Sequence, residues 1–151
     1  MPLTGEYEPS PAAWVRDQVE EYERSGGQRA NTLRDTGLPI IVVTTLGRRT
    51  GKLRKWAVMR VEHDGEYALV ASKGGAPEHP VWYLNITADP TAVMVQDGPE
   101  PFDVHVRELD GAEREEWWQR AVAAYPPYAE YQTKTDRRIP VLLATPVGRG
   151  N

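Results

Sequence analysis

The chain has 151 residues and no cysteine. Disulfides, thiolate metal sites, cysteine nucleophiles and iron–sulfur clusters are therefore excluded. Phenylalanine occurs once, against five tryptophans and seven tyrosines. Rings with a polar handle suit a pocket that is half apolar and half wet, and ordinary core filling is their alternative use. The three histidines, His63, His79 and His105, lie far apart and show no metal-ligand spacing. No apolar run approaches bilayer length; the longest covers residues 38–43. The start, Met1-Pro2-Leu3-Thr4-Gly5-Glu6, has neither the basic nor the apolar region of a secretion signal, so the cytoplasm is the expected location.

An excess of positive charge is also lacking: 18 Lys and Arg stand against 22 Asp and Glu. That excludes a nucleic-acid binder built on overall charge. The distribution is uneven, however. Residues 36–61 hold Arg48, Arg49, Lys52, Arg54, Lys55 and Arg60 and no acid, and the rest of the chain sets twelve cations against all 22 acids. One concentrated basic segment on an acidic chain points to a local anion site. A composition of 40% hydrophobic and 26% charged residues fits a single globular domain.

Ser10-Pro11 reads as a helix start, followed by Trp14, Val15, Val19 and Tyr22 at helical spacing and a stop at Ser25-Gly26-Gly27. Residues 39–46 are β-branched and read as a buried strand. Residues 53–62 alternate as a second strand, with Arg54, Trp56, Val58 and Arg60 on one face. The Asp64-Gly65 signal predicts a hairpin back through residues 67–72. A short helix is expected from Pro80, then strands over 91–96 and 102–109. Asp110-Gly111-Ala112-Glu113 has the form of a capping box for a helix ending at Pro126-Pro127. A further helical turn over 128–135 and a strand over 139–144 complete the chain. This is an α+β pattern, mainly β, with antiparallel connections, and it is unlike a βαβ dinucleotide fold.

Gly47-Arg48-Arg49-Thr50-Gly51-Lys52-Leu53-Arg54-Lys55 resembles a phosphate loop only superficially, since the glycine spacing is short and Leu53 follows the lysine. Its crowded cations remain; an anionic ligand would relieve their repulsion, and a solvated charged turn is the alternative. The strand end Val70-Ala71-Ser72-Lys73-Gly74-Gly75 could leave backbone N–H and C=O groups bare for the edge of a flat heterocycle, although a plain strand–loop junction is the reading that sequence alone favours. Val81, Trp82, Tyr83 and Asn85 could wall a ring pocket or plug the core. Tyr125, Tyr128 and Tyr131 fall on one side of a helical turn and could line a substrate mouth or pack at the surface. No nucleophile–base pair is evident, which suits a protein whose cofactor carries the reaction.

Four motifs in order carry a resemblance: Thr44-Thr45-x-Gly47-x-x-Thr50-Gly51-x-x-Arg54, the 70–75 segment, His79-Pro80-Val81-Trp82-Tyr83-x-Asn85, and Tyr125-Pro126-x-Tyr128-x-x-Tyr131-Gln132-x-x-Thr135-Asp136-Arg137-x-Ile139-Pro140. Together they resemble the deazaflavin-dependent nitroreductases of actinobacteria, among the F420-dependent quinone reductases. The resemblance implies a split β-barrel, FMN-binding-like, of about six mostly antiparallel strands with flanking helices. It implies an N-terminal helix and linker over 1–37, a cofactor-binding domain over 38–146 and a tail over 147–151. The implied cofactor is coenzyme F420, an 8-hydroxy-5-deazaflavin with a phosphate and glutamate tail. Lys52, Arg54 and Lys55 are then expected at the phosphate, with Arg48, Thr50 and Gly51 nearby. Trp56, Ala57, Val58 and Met59 would run along the cofactor; Val70, Ala71, Ser72 and Lys73 would meet the ring edge, and Val81, Trp82, Tyr83 and Asn85 would close the far side. Ser72 and Tyr128 are the expected catalytic residues, with Tyr125 and Tyr131 shaping the acceptor pocket.

The implied reaction is hydride transfer to a quinone, nitroaromatic or other electrophilic acceptor. Its implied partners are that small molecule and a separate enzyme that re-reduces the cofactor, with peripheral membrane contact through a quinone. No metal and no nucleic acid are expected. An FMN-binding protein on the same barrel, a non-catalytic deazaflavin carrier and a single-strand nucleic-acid binder are the competing readings, the last opposed by the acidic remainder.

Overall fold

The computed structural model describes residues 5–33 and 37–147. The β-branched run becomes β1 (Ile40–Leu46), buried along nearly its whole length. It is followed by β2 (Leu53–Met59), β3 (Glu62–His63), β4 (Glu66–Val70), β5 (Val93–Gln96), β6 (Pro101–Glu108) and β7 (Val141–Pro146). All the pairs are antiparallel, in the order β2-β1-β5-β6-β7-β4-β3. The helices are α1 (Ala13–Arg24), α2 (Val81–Ala88), α3 (Gly111–Ala124) and α4 (Pro127–Thr133). The expected antiparallel split-barrel sheet with flanking helices is what forms.

The described residues hold seven strands rather than about six, because the 53–62 run does not stay in one ladder. It breaks at Arg60 and Val61. β2 pairs β1 at one edge of the sheet, and β3 pairs β4 at the other. The crossing is held by Arg60 N–H donating to Pro39 O (3.0 Å) and Ala68 N–H donating to Val61 O (2.8 Å). The expected hairpin at Asp64-Gly65 therefore exists only as the two pairs Glu62–Tyr67 and His63–Glu66.

Alternation gives the sheet a core on each face. Ile41, Val43, Leu69, Val93, Val95, Val104 and Leu142 pack on one side with Trp82 and Ile86 of α2. Ile40, Val42, Ala68, Val70, Val141 and Leu143 pack on the other with Val19 and Tyr22 of α1, Trp117 and Ala121 of α3, and Tyr128 of α4. Burying each large aliphatic side chain contributes about 1.5–3 kcal/mol. Tyr22 also fastens α1: its hydroxyl donates to Gln96 O (3.2 Å) and accepts from Gly98 N–H (2.8 Å). Gly27 permits this approach, since a Cβ there would lie 2.8 Å from the Gly98 Cα.

Three local expectations are corrected. α1 begins at Ala13 rather than at Ser10-Pro11; the Ser10 hydroxyl only accepts from Ala12 N–H (3.2 Å), ahead of the helix. The capping box at Asp110 does not close, because Glu113 is taken by a bidentate contact with Arg107 (2.9 and 2.6 Å). The last strand begins at Val141 rather than Ile139, whose N–H donates to the Gln132 side chain (2.9 Å).

Candidate active site

A cavity of about 520 Å³ opens between β2, the end of β4, α1, α2 and α4. Residues 56–59 of the edge strand β2 form its floor, and Val70, Ser72 and Lys73 stand at one side. Pro80, Val81 and Trp82 begin α2 on another side, and Trp14 and Val15 of α1 reach in with Leu33 and Ile40. Tyr125, Tyr128 and Tyr131 complete the wall. Pro126 precedes α4 and Pro127 opens it, so the three rings are gathered across a helix boundary. Their centroids lie 4.9, 6.0 and 6.3 Å apart, and the Tyr125 and Tyr131 hydroxyls are hydrogen-bonded at 3.0 Å.

The electrostatics keep protons on this wall. Burial, and then the neighbouring phenols, push the Tyr128 hydroxyl well above its ordinary value. The hydrogen bond with Tyr125, followed by burial, pushes Tyr131 up to about 12. Both stay protonated at neutral pH. Among the described residues the Tyr128 and Ser72 hydroxyls make no hydrogen bond to protein, so each can serve a ligand.

A second cavity, about 320 Å³, is lined by Glu8, Gly47, Arg48, Arg49, Thr50, Arg54, Val81 and Asn85. Val81 borders both cavities, so the basic one adjoins the aromatic one. The 47–51 turn is closed by Gly51 N–H to Gly47 O (2.8 Å) and Gly47 N–H to Lys52 O (2.8 Å). A Cβ on Gly47 would sit 2.8 Å from the Thr50 hydroxyl, so a side chain there would have to displace Thr50. Asn85 latches the turn to α2. Its side-chain oxygen accepts from Arg48 N–H (3.1 Å) and its amide nitrogen donates to the Thr45 hydroxyl (3.1 Å).

The structure divides the cations. Arg48, Thr50 and Arg54 meet in the basic cavity with Asn85. Lys52 pairs with Glu6 (3.3 Å), and Lys55 pairs with Glu23 of α1, so neither lines that cavity. Gly51 lies outside both cavities, as do Ala71 and Tyr83. The Tyr83 hydroxyl donates to Glu108 (2.6 Å) and its ring stacks on His79 (4.5 Å). Trp56, Ala57, Val58, Met59, Val70, Ser72, Lys73, Val81, Trp82 and the three tyrosines do come together.

Arg49, part of the basic segment singled out in the sequence, lines the basic cavity, whereas sequence reasoning missed Trp14, Glu8 and Arg137. Trp14 sits on a helical stripe that reads as core, yet it is 52% exposed at the cavity mouth. Arg137 overturns the expectation of bare carbonyls after β4. Its guanidinium donates to Ala71 O (3.1 Å), Ser72 O (2.8 Å) and Ala76 O (2.9 Å). An arginine so far along the chain gives no local signal of that task.

A family model described as F420H(2)-dependent quinone reductase matches residues 14–146. An F420H(2)-dependent quinone reductase of Mycobacterium tuberculosis (strain ATCC 25618 / H37Rv) is 32% identical over 110 residues, covering 71% of this chain and 73% of that protein. A solved F420-H2 dependent reductase, FDR-A, is 60% identical, with a TM-score of 0.66, over 70% of this chain and 93% of that one. A second solved chain, described as a domain-swapped dimer, is 54% identical with a TM-score of 0.68, over 89% of this chain and 99% of that one.

Proposed function

The chain belongs to the F420H2-dependent quinone reductase family and is an F420H2-dependent reductase with coenzyme F420 as its cofactor; from that premise we propose how its two cavities divide the work. The aromatic cavity receives the deazaflavin ring and the acceptor, and the basic cavity receives the anionic tail. One observation carries this reading: a cavity of flat apolar side chains and phenols adjoins a cationic cavity across Val81. The residues fit the group. A planar ring needs broad apolar walls with a few polar contacts, and a phosphate needs cations and amides.

When bound, the reduced cofactor supplies a hydride from a ring carbon where a flavin has nitrogen. Arg48, Arg49 and Arg54 hold the tail, and Thr50 offers a hydroxyl there. Lys52 and Lys55 lie outside that cavity, each paired with a glutamate, and are not needed to hold the tail. Trp56, Val58, Val81 and Trp82 align the ring, excluding water from the transfer. The Tyr128 hydroxyl, with no other partner among the described residues, donates to the acceptor oxygen as negative charge develops there. Ser72 stands on the same cavity wall and supplies a second hydroxyl. Tyr125 and Tyr131, joined to each other, shape the acceptor side.

Quinones are the acceptor class that the family supports, and electron-poor nitro rings offer the same kind of electrophile. Turnover needs a second enzyme to reduce the cofactor again. No helix among the described residues is long and apolar enough to cross a membrane. Contact with a membrane would therefore run through the quinone and the exposed Trp14 and Val81 at the cavity mouth.

The test is a fluorescence titration with oxidised deazaflavin cofactor and, separately, FMN, followed by turnover on quinone and nitro acceptors. Tight deazaflavin binding with weak FMN binding and quinone turnover is expected. Tight FMN binding alone moves the protein to ordinary flavin chemistry. Deazaflavin binding without turnover makes it a carrier.

A further inference from the structure

We infer that Arg137 is a positioning residue that orients and polarises the Ser72 and Lys73 amides as a paired donor site for a negatively charged ring edge in the aromatic cavity. The inference rests on the reading of that cavity as the ring site. It goes beyond that reading in assigning a task to a residue outside the cavity wall.

The geometry begins with peptide planarity. The described residues are joined by trans peptides, so each peptide C=O points opposite to the N–H that follows it. Arg137 Nη1 donates to Ala71 O (3.1 Å), and the N–H of that peptide belongs to Ser72. Arg137 Nη2 donates to Ser72 O (2.8 Å), and the N–H of that peptide belongs to Lys73. One guanidinium therefore caps two successive carbonyls and turns the two amides away from itself. Ser72 and Lys73 both line the aromatic cavity, and among the described residues neither amide has an acceptor. Ser72 is right-handed (φ −79°, ψ −39°) and Lys73 is left-handed (φ 48°). Successive residues of opposite hand make a concave pair of N–H groups that suits an anion. A left-handed lysine persists only where its surroundings hold it.

Those surroundings are Arg137's other bonds. Nε donates to Ala76 O (2.9 Å) on the far side of the turn, and Nη1 lies 3.2 Å from His79 Nδ1. The fork thus spans both ends of residues 71–76. Its own backbone is tied to α4: Gln132 donates to Arg137 O (2.8 Å) and accepts from Ile139 N–H (2.9 Å). A Cβ on Gly75 would lie 2.7 Å from Tyr131 O, so the turn touches α4 directly. Arg137 therefore sets the amide pair and the tyrosine wall in one frame.

Two physical effects follow. A charged donor on a peptide carbonyl strengthens the N–H of the same peptide, because hydrogen bonds in a chain polarise one another. No carboxylate among the described residues lies within ion-pair distance of Arg137; Glu78, which pairs with Lys73 (3.9 Å), acts on it only from farther off. The carbonyls at this edge are occupied, so the pair favours an acceptor or anionic ring edge over a donor edge. This replaces the sequence-based picture of an edge that could both donate and accept.

The first measurement is ¹⁵N NMR of the full chain with oxidised cofactor, which needs no substitution. The Ser72 and Lys73 amides are expected to shift and to gain protection from exchange, together with the Trp56 and Trp82 indoles. Response of the indoles without the amides overturns this inference and spares the cavity assignment. Response of neither overturns both. The second measurement is the pH titration of the bound cofactor's visible spectrum. Arg137→Gln is expected to raise the chromophore's apparent pKa by roughly one unit and to weaken binding about tenfold. Arg137→Lys keeps the charge, loses the fork and is expected to fall between. An unchanged chromophore pKa in a folded, cofactor-binding Arg137→Gln variant refutes polarisation by Arg137.

Discussion

Glu8 places a carboxylate inside the basic cavity, and removing its charge should tighten cofactor binding. Arg54 Nη1 lies 3.5 Å from Glu8 Oε1, yet that oxygen is buried without a hydrogen bond. The pair is close enough for attraction and misaligned for a bond. An anionic tail seated against Arg54 would face Glu8 at about 6 Å. At an effective dielectric of 20, two unit charges at that distance repel by about 2.8 kcal/mol. The partial exposure of both side chains reduces this to roughly 1 kcal/mol. Glu8→Gln is therefore expected to tighten the deazaflavin Kd by about fivefold at low salt, and by less at high salt. The substitution leaves Glu8 N–H on Leu53 O (2.9 Å) in place, so the melting temperature should hardly move. Fluorescence titration at two salt concentrations reads the effect. Unchanged or weaker binding at low salt, in a variant of normal stability, would refute the tail's placement beside Arg54.

Tyr128→Phe keeps the buried ring and removes a hydroxyl with no other protein partner among the described residues. It should lower kcat at least tenfold and change cofactor Kd less than threefold; steady-state kinetics with a titration separates the two, and the reverse pattern reassigns Tyr128 to cofactor packing. Gly75→Ala would set a Cβ 2.7 Å from Tyr131 O at φ +83° and should cost about 2–4 kcal/mol, seen in denaturant unfolding; a cost under 1 kcal/mol would show that the turn and α4 can separate freely. Burial, then the Arg137 charge, hold His79 below its ordinary value of 6.5, with Glu108 opposing. Its contribution to stability is therefore complete above about pH 6.5 and is lost as pH falls through the lowered value. His79→Gln should flatten that part of the melting-temperature profile between pH 7.5 and 5.5, and an equally steep decline would exonerate His79.

The parts of this fold that were legible in the sequence are those set by local chemistry. Residues 39–46 could only be a buried strand, and Pro126-Pro127 could only interrupt a helix. The tyrosine wall was legible because spacing of three gathers phenols even across that break. What stayed hidden depends on contacts distant in sequence. The break at Arg60 answers to Pro39 and Ala68 across the half-barrel. The capping box at Asp110 looked complete until Arg107 took its glutamate. The basic segment read as one anion site, but Glu6 and Glu23 draw Lys52 and Lys55 aside and leave the arginines to face the cavity.

These distant contacts make the aromatic and basic cavities one unit. α2 walls the aromatic cavity through Val81 and Trp82, and through Asn85 it holds Arg48 in the basic turn. A shift of α2 along its axis would therefore move a wall of the aromatic cavity and the Arg48 turn of the basic cavity together. Asn85 is 3% exposed and bonded at both ends of its amide, so this link is rigid. A ligand that fills only one cavity cannot use the whole frame. FMN brings a phosphate on a short chain, whereas a longer acidic tail can occupy the basic cavity while its ring lies flat in the aromatic one. On the proposed placement, discrimination between the two cofactors would follow from the separation that α2 imposes, more than from any single cation. Asn85→Ala should therefore weaken deazaflavin binding while leaving FMN binding, itself expected to be weak, nearly unchanged. Equal losses for both would place the discrimination in the cations themselves.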